Sequence, residues 1–456
     1  MPVSTRRNSV CAVLLAALLS CWPALMNRYP LLYADSVSYL SDGRPVLQQF
    51  LHHTRTFVGM RSELYALCIY FVHWQRNPWP VVALHALITA YLVFLTMRAF
   101  FPQRTISRYV ATMLLLSAFT SMSWYVSLIM PDILGAPLYL AVCLLLFVPQ
   151  SLTRLDRILL PLLMGFCVVS HATHLLIAVF LLAMLTVLLA FRTPLMRDRG
   201  RTLIVFAAIV AIAAASQMVL HKYLYGRATL DGNRMPYLSA RFIADGPEKQ
   251  YLRTHCGAEH WMLCDQLDQL PSTDDDFIWG DDTIWSRASP QEKQQLLHEE
   301  IPLALRTLRT YPKQQVAVSL KAFADQLNDF GVNDFDNNKW MEDHIEETMP
   351  GAHAAYERSL QAHDRVPSNS FTELQRWPVF LAVLVLVVLL PGIVRRSEWP
   401  FAGFCVVLVP VLIANAFVVA TLSEVDSRYQ ARVIWLLPLL AIIALYRWWD
   451  SRQASR

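Results

Sequence analysis

Four short stretches of the 456-residue chain set carboxylates, histidines or arginines at the ends of long apolar runs. The first is Tyr33-Ala-Asp35-Ser-Val-Ser-Tyr39, just beyond an apolar run at 10–27. A carboxylate is costly near hydrocarbon, so one kept at a membrane rim is a functional candidate. The second is Met130-Pro-Asp132-Ile, between two apolar runs, where Pro131 interrupts the helix. The third is Ser170-His171-Ala-Thr-His174, whose histidines are three apart and can share a helix face. They could bind phosphate, ligate a metal or hydrogen-bond within a polar rim. The fourth is Ser423-Glu424-Val-Asp426-Ser-Arg428-Tyr429, a short connection in which Arg428 can hold a phosphate through a forked pair of hydrogen bonds. Each stretch has a purely structural alternative. Asp35 could cap a following helix with Ser36 in its first turn, Asp132 could cap the next span, and Asp426 could simply pair with Arg428.

The elements that would position these groups follow from composition. The chain is 55% hydrophobic and 16% charged, far below the roughly 25% charge of a soluble chain. The deficit is uneven. Residues 221–376 carry 25 acidic and 16 basic side chains, and the remaining 300 residues only 10 and 23. The sequence therefore predicts an α-helical polytopic membrane protein in three parts: a membrane domain over 1–220, an acidic, water-exposed insert over 221–376, and a second membrane part with its tail over 377–456. A span needs about 20 apolar residues. Ten such runs are read, at 10–27, 79–97, 109–128, 133–149, 158–176, 175–191, 202–220, 377–394, 400–421 and 430–447. Residues 62–74 are apolar but short, and read as an interfacial helix.

Basic residues near span ends set orientation. One side gathers 16 arginines against Asp156, Asp198, Glu398 and Asp450. The other side, insert excluded, has seven basic residues against six acidic ones: Asp35, Asp42, Glu63, Asp132, Glu424 and Asp426. Both termini are expected in the cytoplasm of a bacterial inner membrane, with the insert periplasmic or extracellular. The first apolar run reads as a retained span, because cleaving it as a signal peptide would put the arginine-rich C-terminus on the outer side. No basic run suggests nucleic acid.

The insert reads as α-rich, with helices over Pro290–Thr310 and Tyr311–Phe330 and loops over Asp274–Trp285 and Gly331–Asn338. Asp334 and Asp336 lack the ligand order of a calcium loop. Cys256 and Cys264 lie in this insert, where an oxidising compartment makes a disulfide an open alternative to free thiols. The first outer loop carries apolar residues over 36–51 at a spacing that suits a helix lying on the membrane surface.

Taken in order and on a common side, these positions resemble the GT-C superfamily of integral-membrane glycosyltransferases, which includes protein O-mannosyltransferases and the aminoarabinose transferases of lipid A. The resemblance rests on Asp35 after the first span, surface helices near 36–51 and 62–74, Pro131-Asp132 at the outer end of span three, and Arg428-Tyr429 before a late span containing Pro438. It covers about 1–220 and 377–447. The insert departs from it, as does Gly59-Met-Arg-Ser-Glu-Leu-Tyr65, where many members carry a Pro-Pro pair. The resemblance implies transfer of a sugar, with inversion, from a polyprenyl-phosphate donor to an acceptor hydroxyl on a lipid, glycan or protein. Asp35 would be the base and Asp132 would position the acceptor or a rim arginine. Arg61, Arg428 and His174 would hold the donor phosphate. Tyr39, Tyr65, Glu424, Asp426 and Tyr429 are candidate substrate-positioning groups. No cofactor is demanded; a divalent cation is left open. Two other classes compete: a transporter or flippase of a lipid-linked glycan, disfavoured by nearly uncharged span interiors, and a non-catalytic envelope assembly protein.

Overall fold

The computed structural model describes residues 3–53, 59–230, 232–333, 335–395 and 398–454. Asp334, and Arg396 and Arg456 among the sixteen arginines of the orientation reading, lie outside the described residues. Every regular element among the described residues is helical, apart from one isolated bridge pairing Leu31 with Leu128. Six helices are long and apolar enough to cross a membrane: Trp79–Phe100, Ala172–Ala190, Gly200–Tyr225, Ser368–Ile393, Trp399–Leu422 and Ser427–Ala454. Only helices satisfy every backbone hydrogen bond within one segment in lipid, so this is the pattern of a multi-pass membrane protein.

Expected spans at 10–27, 109–128 and 133–149 fall on shorter apolar helices, Arg7–Ser20, Thr105–Phe119 and Pro131–Phe147. The run at 158–176 ends early. Its helix is Asp156–Ser170, His171 is extended, and a new helix begins at Ala172. The two stretches expected as surface helices are helical over Ala34–His52 and Glu63–His73.

The chain divides into two compact units. One comprises Met1–Gly232, Phe330–Ala414 and Ser427–Arg456; the other comprises Asn233–Asp329 with Asn415–Asp426. Residues 221–232 and 330–376, assigned to the insert from charge, therefore fold with the membrane helices. Gln361 shows why. Its fully buried amide donates to Leu32 O at 2.6 Å and accepts from Leu32 N at 3.0 Å. Its own N–H donates to Asn27 Oδ1 at 2.8 Å. Phe335 and Phe371 close on Trp124, with centroids 5.6 and 5.2 Å away. A charge count sees only that this segment is polar on average; it cannot see which side chains reach inward.

The second unit is built on Leu252, Leu263, Phe277, Leu296 and Leu303. Pro290–Thr310 starts at a reciprocal cap, Ser289 Oγ accepting from Glu292 N while Glu292 Oε2 accepts from Ser289 N. The next helix covers Pro312–Asn328. The stretch at 274–285, expected as loop, holds two single-turn helices, Asp275–Ile278 and Ile284–Arg287. Thr283 nucleates the second by accepting from Ser286 N. Cys256 and Cys264 are joined by a disulfide, their Cα atoms 5.6 Å apart.

Candidate functional site

The site grows from one backbone pairing in the first unit. Leu31 N donates to Ser127 O at 2.9 Å, and Ile129 N donates to Leu31 O at 3.1 Å. This bridge sets Leu31 beside Leu128, a few residues before the helical turns that carry Asp35 and Asp132. Gln361 fixes the same segment from its other side at Leu32.

Asp35 is the second residue of its helix and not its cap. Tyr33 holds the cap position, and Ser36 Oγ accepts from Tyr33 N at 2.9 Å. Freed from capping, Asp35 accepts from Arg61 Nη2 at 2.5 Å, the carboxylate 16% and the guanidinium 20% exposed. Arg61 is placed by the next helix. Ser62 caps it by accepting from Tyr65 N, and donates to Val169 O at 2.8 Å. The two surface helices pack closely because Gly43 has no side chain; a Cβ there would collide with Ala66 O and Tyr70 Cβ.

Asp132 is buried at 1% exposure and accepts from Arg432 Nη1 at 3.0 Å, the arginine being equally buried. Its Oδ2 has no hydrogen-bond partner among the described residues. Arg432 is the residue that sequence reasoning missed. The signal was present as Arg428 and Arg432, one helical turn apart at i and i+4. Their helix, Ser427–Ile434, is pinned where Ser121 Oγ donates to Ala431 O. Arg428 lies 3.9 Å from the centroid of Tyr33 and 4.9 Å from that of Tyr429, and Arg432 lies 5.3 Å from Tyr429. Such aromatic faces hold a guanidinium in place without neutralising it.

Tyr39 joins the two halves. Burial pushes its hydroxyl well above the ordinary phenol range, and the charges that act on it are Asp35, Arg61, Asp132 and Arg428. The charges of two carboxylates and two guanidinium groups thus all act on one buried phenol. Tyr65 packs edge-on against Tyr39 at 5.0 Å and shares a 3.0 Å hydrogen bond with His85 Nε2.

His171 and His174 lie side by side at the start of one helix, their ring centroids 5.2 Å apart. His171 is the cap, its Nδ1 accepting from Thr173 N, while His174 is buried one turn in with Nδ1 against Cys167 O at 2.9 Å. His174 Nε2 is buried without a partner among the described residues, beside Gly135, where a Cβ would stand 3.1 Å away. Glu424 and Asp426 belong to the second unit. Glu424 hydrogen-bonds Asp275, and the Asp426 backbone is clasped by Gln326, which donates to its O at 2.8 Å and accepts from its N at 3.0 Å.

A second polar cluster lies behind the surface helices. Tyr225 donates to Glu63 Oε1, and His221 Nε2 stands 3.3 Å from Glu63 Oε2. His221 Nδ1 donates to Thr229 O at 2.7 Å, so the Nε2 contact requires a second proton shared between imidazole and carboxyl. Burial raises Asp42 to about 7, with the nearby Glu63 charge adding to the effect.

Chemically, the first cluster offers a mostly buried carboxylate already hydrogen-bonded to an arginine, and further guanidinium groups set against aromatic walls. That combination can accept a proton and stabilise a developing phosphate charge. No family model, curated protein or solved structure matches the chain, so the site's geometry alone carries its reading.

Proposed function

We propose that the chain is a membrane glycosyltransferase that moves a sugar from a polyprenyl-phosphate donor to an acceptor hydroxyl at the extracytoplasmic face. The observation that carries this reading is the 2.5 Å pairing of Arg61 with Asp35, with Arg428 held 3.9 Å over the ring of Tyr33, two residues before that carboxylate. In this proposal the shorter apolar helices complete ten crossings of a bacterial inner membrane, both termini being cytoplasmic.

Asp35 takes the acceptor's hydroxyl proton as the oxygen attacks the anomeric carbon. The bond from that carbon to the donor phosphate breaks, and the leaving phosphate carries the electron pair away. Arg61 pairs with Asp35 through Nη2. In this reading, one guanidinium orients the base and lies beside the departing phosphate. Arg428, flanked by Tyr33 and Tyr429, stabilises the same charge. Asp132 positions Arg432, and through it the arginine-bearing helix, instead of touching the acceptor.

Asp35→Asn tests the assignment. Turnover of a polyprenyl-phosphate sugar by purified, correctly inserted protein should fall by about 10²–10⁴-fold. Transfer at the unmodified rate by Asp35→Asn would remove Asp35 as the base. Donor flipping without transfer would favour a flippase.

A further inference from the structure

A cavity of about 530 Å³ lies at the opposite, arginine-rich end of the first unit, away from the residues discussed so far. It is formed by three packed helices, Gly135–Phe147, Asp156–Ser170 and Gly200–Tyr225. Leu146, Met164, Val205 and Phe206 line its apolar part; Gln150, Arg157 and Arg201 line its polar part. Its size is that of a small-molecule site.

Its chemistry is one-sided. Arg157 is one residue into its helix and Arg201 one residue into another, so both guanidinium groups belong to helix ends beside connecting loops. Those loops also hold Arg154, Arg192, Arg197 and Arg199. The apolar lining comes from the helix bodies. Val205 is 48% exposed, so this part of the wall faces whatever surrounds the bundle. Arg157 spends one N–H on Pro149 O at 2.8 Å, which orients it at the mouth and leaves other donors. A ligand that fits must carry an anionic head and a hydrocarbon tail. By the positive-inside rule, this end faces the cytoplasmic leaflet, where anionic lipids concentrate.

We infer that the cavity binds one anionic phospholipid of the cytoplasmic leaflet, its phosphate between Arg157 and Arg201 and an acyl chain against Met164 and Phe206. This site is independent of the transfer reaction proposed above, and its test uses no activity.

The purified full chain is equilibrated with dioleoyl phosphatidylglycerol or dioleoyl phosphatidylcholine in detergent, and retained lipid is counted by native mass spectrometry. One phosphatidylglycerol should be retained in preference to phosphatidylcholine. Arg157→Gln with Arg201→Gln should weaken its retention roughly five-fold per arginine, from about 1 kcal/mol of surface attraction each. Arg192→Gln with Arg197→Gln, outside the cavity, should leave it unchanged. Val205→Trp keeps both arginines, sits at an exposed position that folding tolerates, and should also weaken retention by filling the cavity. Four results overturn the inference: equal retention of the two lipids, an unaffected Arg157/Arg201 double variant, an equal loss in the Arg192/Arg197 control, or displacement by inorganic phosphate at matched concentration. The last two would reduce the site to general basic charge or a headgroup-only contact.

Discussion

The Asp132–Arg432 pair gives the sharpest test of the site's architecture. Both side chains are 1% exposed and meet through one 3.0 Å hydrogen bond, so water can replace neither partner. Removing one member of such a pair costs about 3–5 kcal/mol, because a buried charge is left uncompensated. The structure makes the two losses unequal. Arg432→Met leaves Asp132 still in the field of Arg428, which favours about 3 kcal/mol. Asp132→Leu removes the carboxylate that Arg432 meets and leaves its buried charge one helical turn from the like charge of Arg428, which favours about 5 kcal/mol. The double variant restores neutrality. Its residual cost is about 1 kcal/mol, from the contact between Arg432 and the Tyr429 ring. The assay is surfactant-induced unfolding of the purified full chain, comparing single and double variants as a mutant cycle. If the double variant costs as much as the two singles added together, the coupling is zero and the pair does not organise the site. Single costs below about 1 kcal/mol would place both groups in contact with water.

Other outcomes follow from particular contacts. Gln361→Ala strands both backbone groups of Leu32 and should cost about 2–4 kcal/mol, with a matching loss of Asp35-dependent turnover, measured by unfolding and by sugar transfer. Asp42 is held near 7 by burial, above its unfolded 3.8, so the native state binds the extra proton between those values. Stability must therefore fall as pH rises from about 4 to about 7, and Asp42→Asn should abolish that slope in pH-dependent unfolding. Replacing Cys256 and Cys264 by Ser opens an eight-residue link and should cost the second unit about 2.5 kcal/mol, read as a lower melting midpoint equal to that of the reduced wild type.

The helices at 34–52 and 63–73 and the long apolar helices were legible because each is a local pattern. Hydropathy marks a helix in lipid wherever it packs, and 34–52 and 63–73 carry their apolar residues at helical spacing. Asp35, Asp132 and Arg428 were legible as types in suspicious places, since charge beside hydrocarbon is costly. The sequence reading placed Glu424 and Asp426 with them because they are neighbours of Arg428 along the chain. The structure assigns them to the other unit, whose boundary falls between Asp426 and Ser427. The cap reading of Asp35 failed for a local reason: Ser36 supplies the bond to Tyr33 N and leaves the carboxylate for Arg61.

The amino-acid sequence by itself therefore determined the chain's class, its helices, its charge asymmetry and the candidate carboxylates. Tertiary structure alone decided the partners. Arg61 reaches Asp35 across 26 residues, Arg432 reaches Asp132 across 300, and Gln361 reaches Leu32 across 329. The physical reason is one of range. Hydropathy and helical spacing act over one or two turns, whereas a buried ion pair is chosen by whichever distant group the packed helices bring within hydrogen-bond reach.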